Sequence, residues 1–254
     1  MIESEQHRFL EIAAEKKFLE GDRLATAKRL LEDPDRKKPV PFLLMEQGLL
    51  DGEALDAVLA EMLQRVEAIV SEGDKFARLK SMTRAILHYD QAVQASPSDE
   101  RARWKKVNAL LEKRRFDEAA LQLTQLLDLS PEKAEILKKR GMVHARAGRL
   151  AEAVADLEAS IALSPGDGQT HFELGLCHQS RREVAKAIAS YERSIECDPE
   201  FVQAYNNLAI ARIRAREPEK ALEAWEKALQ IDKGRRTILY NVQTLLKRLG
   251  RPPT

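Results

Sequence analysis

The chain has 254 residues and a formal net charge of +1, with 44% hydrophobic and 33% charged residues. It contains only 11 Gly and 10 Pro, whereas Leu and Ala supply 34 each. This composition excludes collagen-like and disordered chains and favours α-helices. Two cysteines are too few for a disulfide framework, and the balanced charge gives no argument for nucleic acid as a partner. We expect an all-α protein.

The sequence has no run of uncharged apolar residues long enough to span a bilayer, so we expect no membrane span. Its first eight residues include Glu3, Glu5 and Arg8, which is unlike the apolar core of a secretory signal. We therefore predict a cytoplasmic protein.

Residues 1–65 hold ten basic and fourteen acidic side chains and contain an internal duplication. Residues 18–24, Phe-Leu-Glu-Gly-Asp-Arg-Leu, match residues 49–55, Leu-Leu-Asp-Gly-Glu-Ala-Leu. Each copy predicts a short helix, a turn and a second helix, and the polar stretch 33–39 between the copies predicts a linker. We expect a small helical domain over residues 1–65.

The second copy, residues 43–50 with Leu55 and Leu59, resembles the N-terminal domain of bacterial type II secretion and type IV pilus assembly ATPases. The resemblance implies a bacterial origin and, because some of these domains bind cyclic di-GMP through an Arg-Leu-Gly opening, a site for that nucleotide. Here the first copy keeps only Arg8 of that opening, Lys17 replaces a glycine, and prolines stand at the opening of the second copy. We favour a helical docking domain without ligand.

A tandem repeat begins after this segment. Prolines recur at a fixed period of 34 at Pro97, Pro131, Pro165 and Pro199, and a period of this length indicates stacked units. If this proline is position 32 of each unit, position 20 is Ala in all five units: Ala85, Ala119, Ala153, Ala187 and Ala221. Positions 20, 24 and 27 are mainly apolar and lie on one helical face, so the second helix of each unit is predicted to be amphipathic.

The units resemble tetratricopeptide repeats, which have Leu-Gly at positions 7 and 8, Ala at 20, a bulky residue at 24 and Pro at 32. The unit with Leu174, Gly175, Ala187, Tyr191 and Pro199 matches this pattern best. The resemblance implies a right-handed superhelical solenoid of antiparallel helix pairs over residues 66–235. We predict that the small residue at 8 faces the alanine at 20.

The ends of the repeat region are less regular. Ser71-Glu72-Gly73-Asp74 stands in the middle of the first helix of the first unit, so we predict a break there and a degenerate first unit. Residues 236–249 repeat the first-helix pattern, which predicts a C-terminal cap helix within the last segment, 236–254.

The sequence offers no catalytic or metal-binding motif. His144, His171 and His178 stand at positions 11, 4 and 11, which are packing positions between the two helices. No zinc spacing, phosphate loop, nucleophile elbow or paired-carboxylate motif occurs. We therefore expect a non-enzymatic protein without cofactor, bound metal or small-molecule ligand.

The turn between the two helices of each unit is rich in basic residues. Positions 13–16 of the five units hold eleven basic and three acidic residues in twenty places. Cations at a helix C-terminus stabilise the helix by about 0.3–1 kcal/mol each at low salt. We favour this explanation over the alternative, an edge that docks nucleic acid, anionic lipid or an acidic protein.

Positions 2, 5, 9 and 12 of the first helices form a separate stripe, and in tetratricopeptide proteins this face lines the concave groove. The resemblance therefore implies a partner-binding groove that holds Arg101, Trp104, Asn108, Leu111, Lys138, Met142, Phe172, Leu176, Gln179, Gln203, Asn206, Ile210 and Ile213. The alternative is that part of this stripe packs on an adjacent unit or on the N-terminal domain.

The groove residues indicate the kind of partner. Position 9 is mainly apolar, with Met142, Leu176 and Ile210 after Asn108. Family members that bind acidic chaperone tails combine Lys at position 5 with Asn at 9, and no unit here has that pair. We predict a protein or peptide with an apolar or amphipathic segment, with Trp104 and Phe172 as aromatic anchors.

The function that we predict is that of an adaptor or scaffold for protein–protein interaction through this groove. The alternative is a regulatory sensor, in which the N-terminal domain binds a cyclic dinucleotide and the solenoid transmits the state.

Overall fold

The computed structural model describes residues 3–251, which fold into fourteen α-helices without a strand. The helices of the first half are α1 (Glu3–Glu15), α2 (Gly21–Glu32), α3 (Val40–Glu46), α4 (Gly52–Arg78), α5 (Met82–Ala95), α6 (Glu100–Glu112) and α7 (Phe116–Leu129). Those of the second half are α8 (Lys133–Arg146), α9 (Leu150–Leu163), α10 (Gly168–Ser180), α11 (Val184–Cys197), α12 (Val202–Arg214), α13 (Pro218–Ile231) and α14 (Arg236–Arg248). Within this range no helix combines the length and the apolarity that crossing a bilayer requires.

The chain divides into two compact units, unit 1 (Met1–Ser130) and unit 2 (Pro131–Thr254). In unit 1 the helix pairs α4/α5 and α6/α7 pack together, and in unit 2 the pairs are α8/α9, α10/α11 and α12/α13, with α14 against α13. The alanines at position 20 of all five repeats are fully buried. The predicted all-α architecture of helix pairs is confirmed.

The N-terminal segment shows the predicted duplication in its backbone. The end of α3 repeats the end of α1, and the start of α4 repeats the start of α2, at the same offset as the sequence duplication. Both first helices end in a left-handed residue, Lys17 with φ of 61° and Gly48 with φ of 65°. The amide of the next residue donates to a carbonyl five positions earlier, at Ala13 and at Leu44. This is the Schellman arrangement, which glycine adopts at least cost.

These four helices enclose a core of their own. Phe9, Ile12, Leu19, Val40 and Leu44 have no exposed surface and belong to one apolar cluster that continues along α4 to Met62. Because α1 to α4 each contribute one buried face, the segment folds as a helical bundle whose last helix leads into the repeats.

The predicted break at residues 71–74 is wrong, because α4 is continuous from Gly52 to Arg78. Asp51 caps its start by accepting a hydrogen bond from the Ala54 amide at 2.7 Å. Gly73 is buried in mid-helix, and a Cβ on it would lie 2.6 Å from Cε1 of Tyr89. The glycine therefore permits a close helix crossing and does not end the helix. Residue 65, where the sequence predicts a domain boundary, lies inside this helix.

The small residue at position 8 faces mainly position 24, which corrects the predicted contact with position 20. A Cβ on Gly175 would lie 2.5 Å from Cε1 of Tyr191, and one on Gly141 would lie 2.8 Å from Cγ of Leu157. Position 20 also contacts the glycine in the third repeat, but through its backbone: a Cβ on Gly141 would lie 3.1 Å from the carbonyl oxygen of Ala153. The second helix of each of these pairs places its bulky side chain over the glycine of the first. Glycine at 8 and a large residue at 24 are therefore a matched pair.

The basic turns have a common backbone. The residue at position 15 has a positive φ in all five repeats: Lys80, Arg114, Gly148, Arg182 and Arg216. In the fourth repeat the next amide, that of Glu183, donates to the carbonyl of His178 at 2.9 Å. Four of the five turns thus hold a basic residue in a conformation that favours glycine.

We expect Arg182→Gly to raise the free energy of unfolding by about 0.5–1 kcal/mol, because glycine adopts a φ of 62° without steric strain. Urea denaturation followed by circular dichroism measures the change. Arg181 has φ of −80°, so the control Arg181→Gly should lower the stability instead. Equal effects of the two substitutions would contradict this explanation of the turn.

Candidate functional site

In unit 1 the predicted groove residues lie along α6. Asn108 and Arg101 are exposed, whereas Trp104 and Leu111 are half-buried. The guanidinium of Arg101 forms an ion pair with Glu67 at 3.3 Å. The stripe of α6 therefore presents one aromatic and one aliphatic side chain between polar groups.

In unit 2 the apolar members of the stripe are Met142, Leu176, Ile210 and Ile213, all half-buried. Leu176, Ile210 and Ile213 pack against the core cluster that contains Tyr191 and Trp225, and each keeps part of its side chain at the surface. These side chains can contact a ligand while they remain anchored to the core.

Two amide side chains of the stripe are held by the bulky residue at position 24. The Nε1 of Trp225 donates a hydrogen bond to Oδ1 of Asn206 at 3.0 Å. The hydroxyl of Tyr191 donates to Oε1 of Gln179 at 3.3 Å. Because each carbonyl oxygen is engaged, the amide NH₂ groups are the part oriented to donate to a ligand.

Lys138, the basic member of the stripe in unit 2, is paired within its own unit. Its ammonium group lies 3.0 Å from Asp167 and also contacts Glu135. Burial by itself lowers the pKa of Lys138, but the hydrogen bonds with these two carboxylates raise it above the usual value overall. The lysine is therefore charged, and its charge is already compensated.

Phe172 is a correction to the predicted groove. Only 9% of its surface is exposed, and its ring lies 5.8 Å from the ring of Tyr191 and 4.9 Å from that of Phe201. Because Phe201 directly precedes α12, Phe172 joins two successive helix pairs. Phe172 is therefore a core residue and not an accessible aromatic anchor. This is the alternative in which part of the stripe packs on an adjacent repeat.

The histidines and cysteines have structural contacts. His171 Nε2 lies 3.0 Å from the carbonyl oxygen of Pro165, and His178 Nδ1 lies 2.7 Å from a carboxylate oxygen of Glu183. Burial raises the pKa of the Cys177 thiol to about 11, so the thiol is protonated at neutral pH and a poor nucleophile. Residues 3–251 contain no group of three or more side chains arranged to bind a metal ion.

The basic turns lie at helix C-termini, as the helix-dipole explanation requires. Several of their side chains also pair with acids of the following helix or its cap. Arg115 contacts Glu118 at 2.6 Å, and Arg181 contacts Glu183 at 2.9 Å. These contacts offset part of the positive charge along the turns.

Sequence reasoning missed a cleft of about 720 Å³ in unit 1. Its wall is formed by one face of α4, by Glu5 of α1 and by the turn that precedes α6. Glu5 and the Ser98 of this turn are far apart in sequence, and no local pattern brings them together. Leu63, an apolar residue outside the buried face of the amphipathic helix α4, is a sequence signal that could have indicated the cleft.

A tetratricopeptide-repeat family model matches residues 105–168, and a second such model matches residues 190–223. The chain therefore contains tetratricopeptide repeats in both ranges, as the sequence predicts. Neither match extends into the N-terminal segment 1–65, so the resemblance to secretion ATPase domains, and the sensor function derived from it, stay predictions. No curated protein matches the chain at a significant level.

Three solved structures have a similar fold. The structure of MamA residues 41 to the end from Desulfovibrio magneticus RS-1 is 19% identical in sequence and has a TM-score of 0.60, and the match covers 67% of this chain and 97% of that chain. PilW, a type IV pilus biogenesis factor, is 21% identical, with a TM-score of 0.61 and coverages of 74% and 87%. YrrB, described as a tetratricopeptide-repeat protein with an unusual peptide-binding site, is 20% identical, with a TM-score of 0.56 and coverages of 71% and 96%. At these identities the similarity concerns the fold.

Proposed function

We propose that the protein is a non-enzymatic adaptor or scaffold that binds a protein segment along the first helices of the repeats in unit 2. The observation that carries this proposal is the stripe of unit 2, where the half-buried Leu176, Ile210 and Ile213 stand beside the oriented amides of Gln179 and Asn206. Burial of the apolar surface provides affinity, and amide donors in fixed positions determine the register in which the backbone of a peptide binds.

The stripe favours an apolar or amphipathic segment over an acidic tail. Lys138 is the lysine that could bind a carboxylate there, and its charge is compensated by Asp167 and Glu135. The exposed Gln203 and the half-buried Asn206 are neutral. A ligand with two or three apolar side chains would bury apolar side chains of the stripe without leaving a charge unpaired.

The comparisons support this proposal at the level of the fold. Tetratricopeptide repeats are interaction modules, and YrrB is described as having a peptide-binding site. The family matches also favour a non-enzymatic role. The buried, protonated Cys177 and the structural contacts of the histidines agree with that role.

The proposal is tested with a peptide selected for binding. The purified full chain is used to select from a display library of random dodecapeptides, and the affinity of the best peptide is measured by calorimetry. We expect apolar residues at regular spacing in the selected peptides. Ile210→Ala and Leu176→Ala should each weaken binding at least about tenfold, which is a loss of about 1.4 kcal/mol.

Two controls separate the stripe from other surfaces. Leu163 is 59% exposed on α9, outside the stripe, so Leu163→Ala should leave the affinity unchanged. The double variant Arg181→Ala/Arg182→Ala should change it less than about threefold. Thermal melting of each variant confirms that it is folded. If the arginine variant loses binding and the stripe variants retain it, the partner binds to the basic turns and the proposal is wrong.

A further inference from the structure

One buried carboxylate fixes the start of α1 beside the repeat region of unit 1. Glu5 is 3% exposed, and its Oε1 accepts hydrogen bonds from the Ser96 hydroxyl at 2.9 Å, the Ser98 amide at 3.0 Å and the Ser98 hydroxyl. A carboxylate that accepts several hydrogen bonds holds its neighbours in a defined geometry. The start of α1 is therefore fixed beside the turn between α5 and α6.

The cleft opens at this junction. Its volume of about 720 Å³ is within the range of roughly 300–1,000 Å³ that ligand-binding clefts have. Four apolar side chains of α4 line it, at relative positions 0, 3, 4 and 7, which share one face of a helix: Leu59, Met62, Leu63 and Val66. Leu63 is 69% exposed, so it is the member of this apolar set that a ligand could cover most.

The polar part of the cleft is acidic. Glu5, Glu67 and Asp99 line it together with a single base, Arg101. The guanidinium of Arg101 lies 3.3 Å from Glu67 and 3.9 Å from Asp99, so one cation is shared by two carboxylates. At the rim the two carboxylates of Glu67 and Asp99 outnumber the single guanidinium of Arg101 by one, so a cationic group of a ligand is favoured there.

We propose that this cleft is a second binding site, which accepts an amphipathic segment of a partner protein with apolar side chains at helical spacing and a flanking Lys or Arg. The apolar side chains would pack on α4 beside Leu63, and the flanking cation would lie at Glu67 and Asp99. The cleft is too large for one side chain, and its acidic rim disfavours an anionic ligand. This site shares only Arg101 with the predicted groove, and it gives the N-terminal helices a role in recognition.

The test uses two fluorescein-labelled probe peptides and the full chain. One probe is an amphipathic helix of Leu and Lys that makes about four turns, and the other has Glu in place of every Lys. We expect fluorescence anisotropy to show the Leu/Lys probe binding at least about tenfold more tightly than the Leu/Glu probe, with an affinity that falls as salt is added. Equal affinities for the two probes, or none for the Leu/Lys probe, would overturn the inference.

Matched variants locate the bound probe. Leu63→Lys places a cation in the cleft and should lower the affinity for the Leu/Lys probe at least about tenfold. Leu121, on α7 of the same unit, is also exposed, at 56%, and Leu121→Lys should have less than about a twofold effect. Equal losses in the two variants would show non-specific adsorption and would contradict the proposal.

The Trp104→Ala and Leu176→Ala variants separate this cleft from the groove stripe of unit 1 and of unit 2. If the probe binds in the cleft, its affinity is unchanged in both variants, because neither residue lines the cleft. If Trp104→Ala abolishes binding and Leu63→Lys does not, the probe occupies the stripe and the cleft proposal fails. The proposed function, which is tested with Leu176→Ala and Ile210→Ala, is not affected by that result.

Discussion

Replacement of Phe172 by alanine is expected to destabilise unit 2 by about 3–5 kcal/mol, because it removes a buried aromatic ring and leaves a cavity that the neighbouring helices cannot fill. The ring is 9% exposed and contacts both Tyr191 and Phe201. It therefore links the α10/α11 pair to the start of α12, and its loss should loosen both. Urea denaturation followed by circular dichroism measures the change.

An exposed aromatic residue of the same unit is the control for Phe172→Ala. Tyr240 on α14 is 68% exposed, and Tyr240→Ala should change the stability by less than about 0.5 kcal/mol. If Phe172→Ala keeps wild-type stability and instead loses affinity for the selected peptide, Phe172 is an accessible anchor after all. That result would contradict its assignment to the core.

Replacement of Gly175 by valine is expected to lower the free energy of unfolding by about 2–3 kcal/mol through overpacking. Even a single Cβ at this position would lie 2.5 Å from Cε1 of Tyr191. Tyr191 has no exposed surface, so its ring has no free space into which to move. Thermal melting should show a decrease of about 2–4 °C for each kcal/mol.

A compensating substitution tests the reason for this loss. In the second repeat, positions 8 and 24 hold Val107 and Leu123, and both are fully buried. The double variant Gly175→Val/Tyr191→Leu recreates that pair, so Gly175→Val should cost less when position 191 is leucine. Gly166 has open space around its Cβ position, and Gly166→Ala should not destabilise. If Gly175→Val costs the same in both backgrounds, the contact between positions 8 and 24 is not the cause.

The repeats were predictable from the sequence because each is a local pattern. The recurring proline, the alanine at position 20 and the bulky residue at 24 all lie within one helix pair, and helical periodicity relates them directly to a packed face. The duplication within the N-terminal segment 1–65 is of the same kind: its first helices end, and its second helices begin, at equivalent positions. Short-range spacing was sufficient for these features.

Predictions from local sequence patterns were wrong where a residue type is compatible with two different structural roles. Gly73 in the stretch 71–74 predicts a break, yet it lies in the continuous helix α4 because Tyr89 from α5 occupies the space beside it. Phe172 stands on the predicted groove stripe, yet it is buried because Phe201, from beyond the next helix, covers it. In both cases a partner outside the local pattern decides the outcome.

The sequence alone therefore determined that the protein is all-α and that it is built from repeated helix pairs, since these depend on composition and on spacings within one repeat. Only the tertiary structure decided which stripe residues remain accessible, and only it revealed the cleft. The cleft depends on Glu5 meeting Ser96 and Ser98, which lie several helices further along the chain. Contacts between distant segments follow from how complete helices pack, which periodicity within one helix does not encode.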